Sequence, residues 1–420
     1  MTVTRLGVQE ASAHMLAGVR PLEGEAIPLE QSAGRVLARD VVSPVFLPPQ
    51  DNASMDGFAA HADDVRGSAS ERPSRLHIIG TIAAGSAPTR ALARGEAARI
   101  MTGAYLPEGA DSVIRVEDTT VKSDRVSVLD DRDAGRNIRR RGEDVRVDQV
   151  VMRTGTVITA PHIGVLASVG CAAPQVYRRP RVAILATGDE LVMLDRFDEV
   201  RGGGRIVSSN SYALAAAVHA AGGEPVSLGI APDSPSALAE RLREADGCDL
   251  VLTSGGVSVG DFDYTRRVIA ELGGTLSLWR VQMRPGAPLA FGTVFGVPWL
   301  GLPGNPVSAL VTFELFGRPL VRTLAGHARP HRRTTTVTLA DAVHLGAPLT
   351  HFLRAMLESG GSYPPVARLT GAQSSGMLTS MSAAEVLLIV PPDPMDVPAG
   401  TVLRALPLDG DLGGSDRFLS

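Results

Sequence analysis

The chain has 420 residues, 44% of them hydrophobic and 20% charged, a balance that suits a sizeable core and two to four domains at about 150 residues each. A net charge of −4 excludes the global basic field that draws nucleic acid or an anionic membrane. Lys122 is the only lysine, and it follows Val121, so there is no Walker A loop, and a kinase strand lysine or a pyridoxal Schiff base would have to use this one position. Any phosphate chemistry here proceeds without lysine.

The N-terminus lacks a basic segment followed by an apolar run, and purely apolar stretches such as 386–390 fall far short of the ~20 residues that span a bilayer. Cys171 and Cys248 are too few for a zinc cluster and share no redox spacing, so they read as buried thiols in a reducing compartment. The expectation is a cytoplasmic protein without a nucleic-acid or membrane partner.

Residues 5–20 place Leu6, Val8, Ala11, Met15 and Val19 on one helical face, and LEQSAGRVLARDVVSP reads as a short helix entering an extended segment. From 44 to 148 short β runs are broken by Gly and Pro, which predicts a small β-rich module. Within it, TTVKSDRVSV alternates like a solvated strand or hairpin. The stretch 157–170 predicts a helix with Pro161 near its first turn. From 179 to about 325 continuous apolar strands alternate with amphipathic helices, the pattern of a doubly wound parallel sheet covered on both faces. GHARPHRR (326–333) reads as a linker, 334–407 returns to short β runs, and the polar tail 408–420 reads as flexible.

In an open α/β sheet, ligands bind beyond the carboxyl ends of the strands. Four loops leave such ends. The first holds Asp189 and Glu190: either one carboxylate caps a helix and the other is solvated, or an acid ligates Mg²⁺ beside substrate phosphates. The second holds Asp233 and Ser234, each a natural helix N-cap. The third, Ser254-Gly255-Gly256-Val257-Ser258-Val259-Gly260-Asp261, lets backbone N–H groups close around an anion. The fourth, Pro303-Gly304-Asn305-Pro306, forms a rigid helix start that serves stability and anion binding equally well. Together the four suggest a phosphorylated, nucleotide-containing ligand with a metal. Elsewhere, 51–57 is dense in turn formers, while Arg139, Arg140 and Arg141 beside Glu143 and Asp144 form either a self-compensating surface cluster or an anion clamp. His327 and His331 lie in the linker and do not read as metal ligands.

LPPQDNASMDGFA, MTGAYLPEGADSVI, NIRRRGEDV, LATGDELV, TSGGVSVGDFDYT, RPGAPLAFG, GLPGNPVSAL and QSSGMLTSM occur in this order, and over residues 6–405 the chain closely resembles the MoeA family of molybdopterin molybdenumtransferases, related to the E domain of gephyrin. The resemblance implies a four-domain, L-shaped protomer in a homodimer. Its parts would be a discontinuous helical/linker domain (1–43 and 149–178), an inserted β-rich domain (44–148), a molybdopterin-binding α/β domain of the adenylyltransferase type (179–327) and a small β-barrel (328–407). It further implies that adenylylated molybdopterin and molybdate are the substrates. It implies too that molybdenum is inserted at the dithiolene as the phosphoanhydride is cleaved with Mg²⁺ and AMP is released. Glu190 and Asp233 match acids tied to activity and metal. Asp56, Thr102 and Asp144 match functional positions contributed by the other subunit. Pro303 and Pro306 shape the anion loop, while Arg354 and Ser375 match residues around the molybdate site. The adenylyltransferase and molybdoenzymes or their chaperones are the implied partners.

The family usually reads KPGKP where this chain has Arg284-Pro285-Gly286-Ala287-Pro288; Arg284 keeps a charge, and Ala287 removes one. Gln50 and Phe58 replace the usual Phe and Tyr. Weakened molybdate affinity follows, or compensation by a nearby arginine such as Arg280. The alternatives are a paralogue of altered anion choice (tungstate) or reduced activity, and a gephyrin-like scaffolding dimer.

Overall fold

The computed structural model describes residues 6–257, 262–358 and 363–408. Ser258, Gly260 and Asp261 of the glycine-rich loop, and all of the expected tail but its first residue, lie outside them.

The centre of the chain is a six-stranded sheet. Its elements are β1 (Arg181–Thr187), α1 (Ser209–Ala220), β2 (Glu224–Ala231), α2 (Pro235–Arg243), β3 (Leu250–Ser254), α3 (Phe262–Glu271), β4 (Thr275–Trp279), β5 (Ala290–Val294), β6 (Val297–Leu302) and α4 (Pro306–Thr312). The strand order is β2-β1-β3-β6-β5-β4. The first four strands are parallel, but β5 runs antiparallel to both its neighbours, β6 and β4, so the sheet is mixed rather than parallel throughout. The departure is local: Phe295 and Gly296 close β5 onto β6 as a tight hairpin with positive φ at both residues, which leaves no room for a helical crossover.

The continuous apolar character of the strands follows from pleating. Val182, Ile184, Leu250 and Leu252 enter one core cluster, while Ala183, Leu185 and Val251 enter the cluster on the opposite face. One consequence positions the site: Thr187 pairs with Ala231, Ala186 with Ser254, and Ser254 with Leu302. The four parallel strands therefore end level, and their exit loops share one rim.

Around this centre, Gly24–Ala26 pairs with Gln175–Tyr177 and Val41–Val42 with Val150–Met152, so the chain before 44 packs with the chain after 149. The helix expected in LEQSAGRV is a single 3₁₀ turn, Leu29–Gln31, since the segment after it bridges to Val157 and Val176 as extended chain. Between these stretches lies a second six-stranded sheet, and Lys122 ends an exposed edge strand (Thr119–Lys122) of it. Strands Thr335–Leu339, Thr350–Leu357, Val366–Leu369, Val386–Val390 and Val402–Pro407 close on themselves as a five-stranded barrel. Met283–Arg284 of the central domain adds alongside Thr350–His351 of the barrel and ties the two together. No helix of the described residues is long and apolar enough to cross a membrane.

Candidate active site

Three cavities adjoin along the rim of the parallel strands. One of about 550 Å³ is lined by Thr187, Glu190, Asn210, Ser254 and Gly304, among others. A second of about 260 Å³ lies between Thr187, Glu190, Asp233, Gly255, Gly256 and Pro303. The third, about 840 Å³, opens between Arg284–Pro288 and the barrel, whose Gln373, Ser374 and Ser375 form its far wall. Asn305 lines all three.

The helix-capping alternative at the second loop is resolved by α2. Its N-cap is Ser234, whose hydroxyl accepts from the Ala237 N–H, and Pro235 takes the first helical position. Asp233 is therefore not the N-cap. Its N–H donates to Asp189 Oδ1 at 3.1 Å, and its Oδ2 accepts from the Asp189 N–H at 3.4 Å. This reciprocal clasp binds the exits of β1 and β2 and leaves Glu190 and Asp233 on the same 260 Å³ cavity. Neither acid of the first loop caps a helix.

Two glycines make room there. A Cβ on Gly188 would lie 2.6 Å from the Glu190 carboxylate, and one on Gly255 would lie 2.7 Å from both the carbonyl and the hydroxyl oxygens of Thr187. The Thr187 hydroxyl is buried with no hydrogen-bond partner among the described residues. Among the described residues no three His, Cys, Asp or Glu side chains gather to cage a metal. Two carboxylates on one cavity instead suit Mg²⁺, which takes one or two carboxylates and draws its other ligands from water and phosphate oxygens.

The 840 Å³ cavity has a different character. No Asp, Glu or Lys lines it, and Arg284 is its one permanently charged wall residue among those described. Ala287 lies on the same wall. Arg280 lines none of the three cavities; its guanidinium lies over the Trp279 ring, 5.1 Å from the centroid, so the expected compensation from this arginine does not reach the site. His344 and His351 also line the cavity. Burial holds the His351 imidazole below its usual range, outweighing its bond to the Ala347 carbonyl, and the Arg284 charge acts in the same direction.

Arg354 stands behind this wall. It is fully buried, and burial pushes its guanidinium pKa down with no acid nearby to oppose it. Nε donates to Ser380 Oγ and Nη2 to the Ala372 and Ser374 carbonyls, while Nη1 has no partner among the described residues. Ser375 lines the cavity directly, and its carbonyl accepts the Val307 N–H of α4.

Asp56, Thr102 and Asp144 are not brought to these cavities. Asp56 Oδ1 accepts from both the N–H and the hydroxyl of Thr102, at 2.8 and 2.7 Å, which holds its carboxyl below the usual range. Asp144 is exposed. In the arginine run, Arg140 pairs with Asp51 at 2.7 Å, and Arg141 stacks on Phe46 at 4.2 Å from the ring centroid. The residue that sequence reasoning missed is Asn210: inside SSNS it reads as a cap, whereas it lies one residue into α1, buried against two of the loops.

Family models match the chain in three stretches. The MoeA N-terminal region (domain I and II) covers 6–170, the "Probable molybdopterin binding domain" covers 183–323, and the MoeA C-terminal region (domain IV) covers 336–408. A molybdopterin molybdenumtransferase of Nostoc sp. is 38% identical over 87% of this chain and 85% of its own. Molybdopterin molybdenumtransferase 2 of Mycobacterium tuberculosis is 37% identical over 94% and 97%. The crystal structure of a molybdopterin biosynthesis MoeA protein from Pyrococcus horikoshii superposes with a TM-score of 0.83 at 28% identity, over 96% of this chain and 100% of that one.

Proposed function

The chain belongs to the MoeA family of molybdopterin molybdenumtransferases, transferases of molybdenum cofactor biosynthesis, and from that premise we propose how its three cavities divide the reaction. Adenylylated molybdopterin lies along the rim with its phosphates at the 260 Å³ cavity, and molybdate enters the 840 Å³ cavity at Arg284 and Ser375. An oxygen of water or of molybdate attacks the adenylyl phosphorus, the phosphate stays on molybdopterin, AMP leaves, and molybdenum passes to the dithiolene as its two thiols displace molybdate oxygens, which leave as water. The observation that carries this reading is the separation of charge. Among the described residues, the lining carboxylates Glu190 and Asp233 both face the 260 Å³ cavity, while the neighbouring 840 Å³ cavity has none.

Glu190 and Asp233 would hold Mg²⁺. When bound, it neutralises charge on the phosphate oxygens. The chain's own residues do the rest. The glycine loop at Gly255–Gly256 and the start of α4 at Gly304–Asn305 turn backbone toward the anion, replacing the absent lysine. Arg284 attracts the oxyanion, and Arg354 shapes the wall that carries Ser375 by gripping the carbonyls of Ala372 and Ser374. Arg354 thus acts through the loop, not as a lining group.

Asp56, Thr102 and Asp144 are expected to complete the site from a second copy, in a cytoplasmic homodimer supplied by an adenylyltransferase and serving molybdoenzymes or their chaperones. The test is AMP release from adenylylated molybdopterin with Mg²⁺ and either molybdate or tungstate. Molybdate-dependent release supports the reading. No release with molybdate overturns it, and release with tungstate alone establishes the altered-anion alternative that Ala287 motivates.

A further inference from the structure

Asn210 occupies an unusual place for an amide. It is buried on the 550 Å³ cavity, at the second position of α1, and its Nδ2 donates to two acceptors at once: Ser254 Oγ at 2.8 Å and the Gly304 carbonyl at 2.8 Å. Ser254 ends β3 and opens the glycine-rich loop, whereas Gly304 sits in the loop that opens α4. One side chain therefore ties together two loops otherwise joined by the Gly255 N–H bond to the Leu302 carbonyl and a 3.4 Å bond from the Ser254 hydroxyl to the Pro303 carbonyl. The Gly304–Asn305 peptide is trans. In a trans peptide the carbonyl and the following N–H point in opposite directions. With the Gly304 carbonyl fixed on Asn210, the Asn305 N–H is turned away from it. Asn305 borders all three cavities, and Asn210 borders only one.

We infer that Asn210 is a positioning residue: by gripping the Gly304 carbonyl it sets the Gly304–Asn305 peptide so that the Asn305 N–H presents to the substrate phosphate, and through Ser254 it holds the glycine loop at matching height. This rests on the proposed phosphate site. Asn210 touches no reacting atom itself; it fixes the direction of a donor that would otherwise be free to flip with its peptide.

Asn210→Asp separates the two contacts. The shape is kept, and the Ser254 hydroxyl can turn from its long bond to the Pro303 carbonyl to donate to the new carboxylate. Two acceptors, however, now face each other at Gly304, which drives that carbonyl away. Asn210→Ala removes both contacts without repulsion. The measurement is calorimetric titration of wild type and both variants with inorganic pyrophosphate, AMP and, separately, molybdate, with thermal unfolding alongside. The expected result is at least tenfold weaker pyrophosphate and AMP binding for Asn210→Asp, a smaller loss for Asn210→Ala, and molybdate affinity within about threefold for both. A merely structural role would lower all three affinities together. Asn210→Asp binding pyrophosphate as wild type does overturns the inference, as does failure of both variants to fold, which would make Asn210 a core residue. A wild type that binds neither pyrophosphate nor AMP overturns the phosphate site itself. That outcome is distinct from one in which wild type and variant bind alike.

Discussion

Gly255 sits with φ +96° directly against Thr187, and Gly222, at the same φ, has nothing within 4 Å of where a Cβ would stand. Replacing each with alanine separates two costs. The left-handed backbone penalises alanine at either position by about 1–2 kcal/mol. Only at Gly255 does the new methyl meet the Thr187 carbonyl and hydroxyl at 2.7 Å, and since one neighbour is backbone, relief requires moving the end of β1. Overpacking of that kind costs a further 1–3 kcal/mol, roughly. Gly255→Ala should therefore lose about 2–5 kcal/mol and Gly222→Ala about 1–2 kcal/mol. Both tryptophans, Trp279 and Trp299, lie on strands of this one sheet, so urea unfolding followed by intrinsic fluorescence reports the domain that carries both glycines. Displacing Thr187 also displaces the loop to Glu190, so AMP release by Gly255→Ala should fall by more than tenfold while Gly222→Ala keeps wild-type turnover. Equal stability losses with equal turnover would refute the argument that the loop's contact on Thr187 shapes the site.

Ala287→Lys should restore a second cation to the 840 Å³ cavity and tighten molybdate binding about tenfold, near 1.4 kcal/mol, whereas Arg284→Ala weakens it; an unchanged molybdate dependence in Ala287→Lys would show that the position does not face the anion. Glu190→Gln and Asp233→Asn should each cut Mg²⁺-dependent AMP release by two orders of magnitude or more and leave molybdate affinity within twofold, read by titration. In the inserted sheet, burial alone would raise the carboxyl of Asp133, but hydrogen bonds from the Arg115 guanidinium and N–H overcome it and hold it at about 2. A depressed carboxyl contributes stability above its unfolded value, lost as pH falls through the folded one. Asp133→Asn should then cost roughly 2 kcal/mol at pH 7, and the gap to wild type should close between about pH 4 and pH 2 in urea titrations; a gap independent of pH would refute the assignment.

Much of the molecule is written in local pattern. Apolar runs such as RVAILAT can bury both faces only inside a covered sheet, and the Ser234-Pro235 start of α2 and the hairpin at 123–124 follow from caps and turns that act within four residues. The motifs ordered along the chain carried the family, and with it the transferase activity, because each holds several residues whose spacing serves one loop. What local pattern left undecided at Asp189, Glu190 and Asp233 was whether acids at strand exits cap helices or face a ligand. That depended on Ser234 taking the cap and on the level ends of β1, β2 and β3, both set by sheet register. Arg280 shows the same limit from the other side: four residues from Arg284, it is carried by the β4–β5 connection to the Trp279 ring and away from the cavity. Asn210, 44 and 94 residues from its two partners, gains its role only when the sheet stacks three loops together. Sequence determined which backbone segments could form strands, turns and anion loops, because those preferences are short-ranged. Tertiary structure alone decided which of their polar groups meet, because hydrogen bonds and charges act over a few ångströms regardless of separation along the chain.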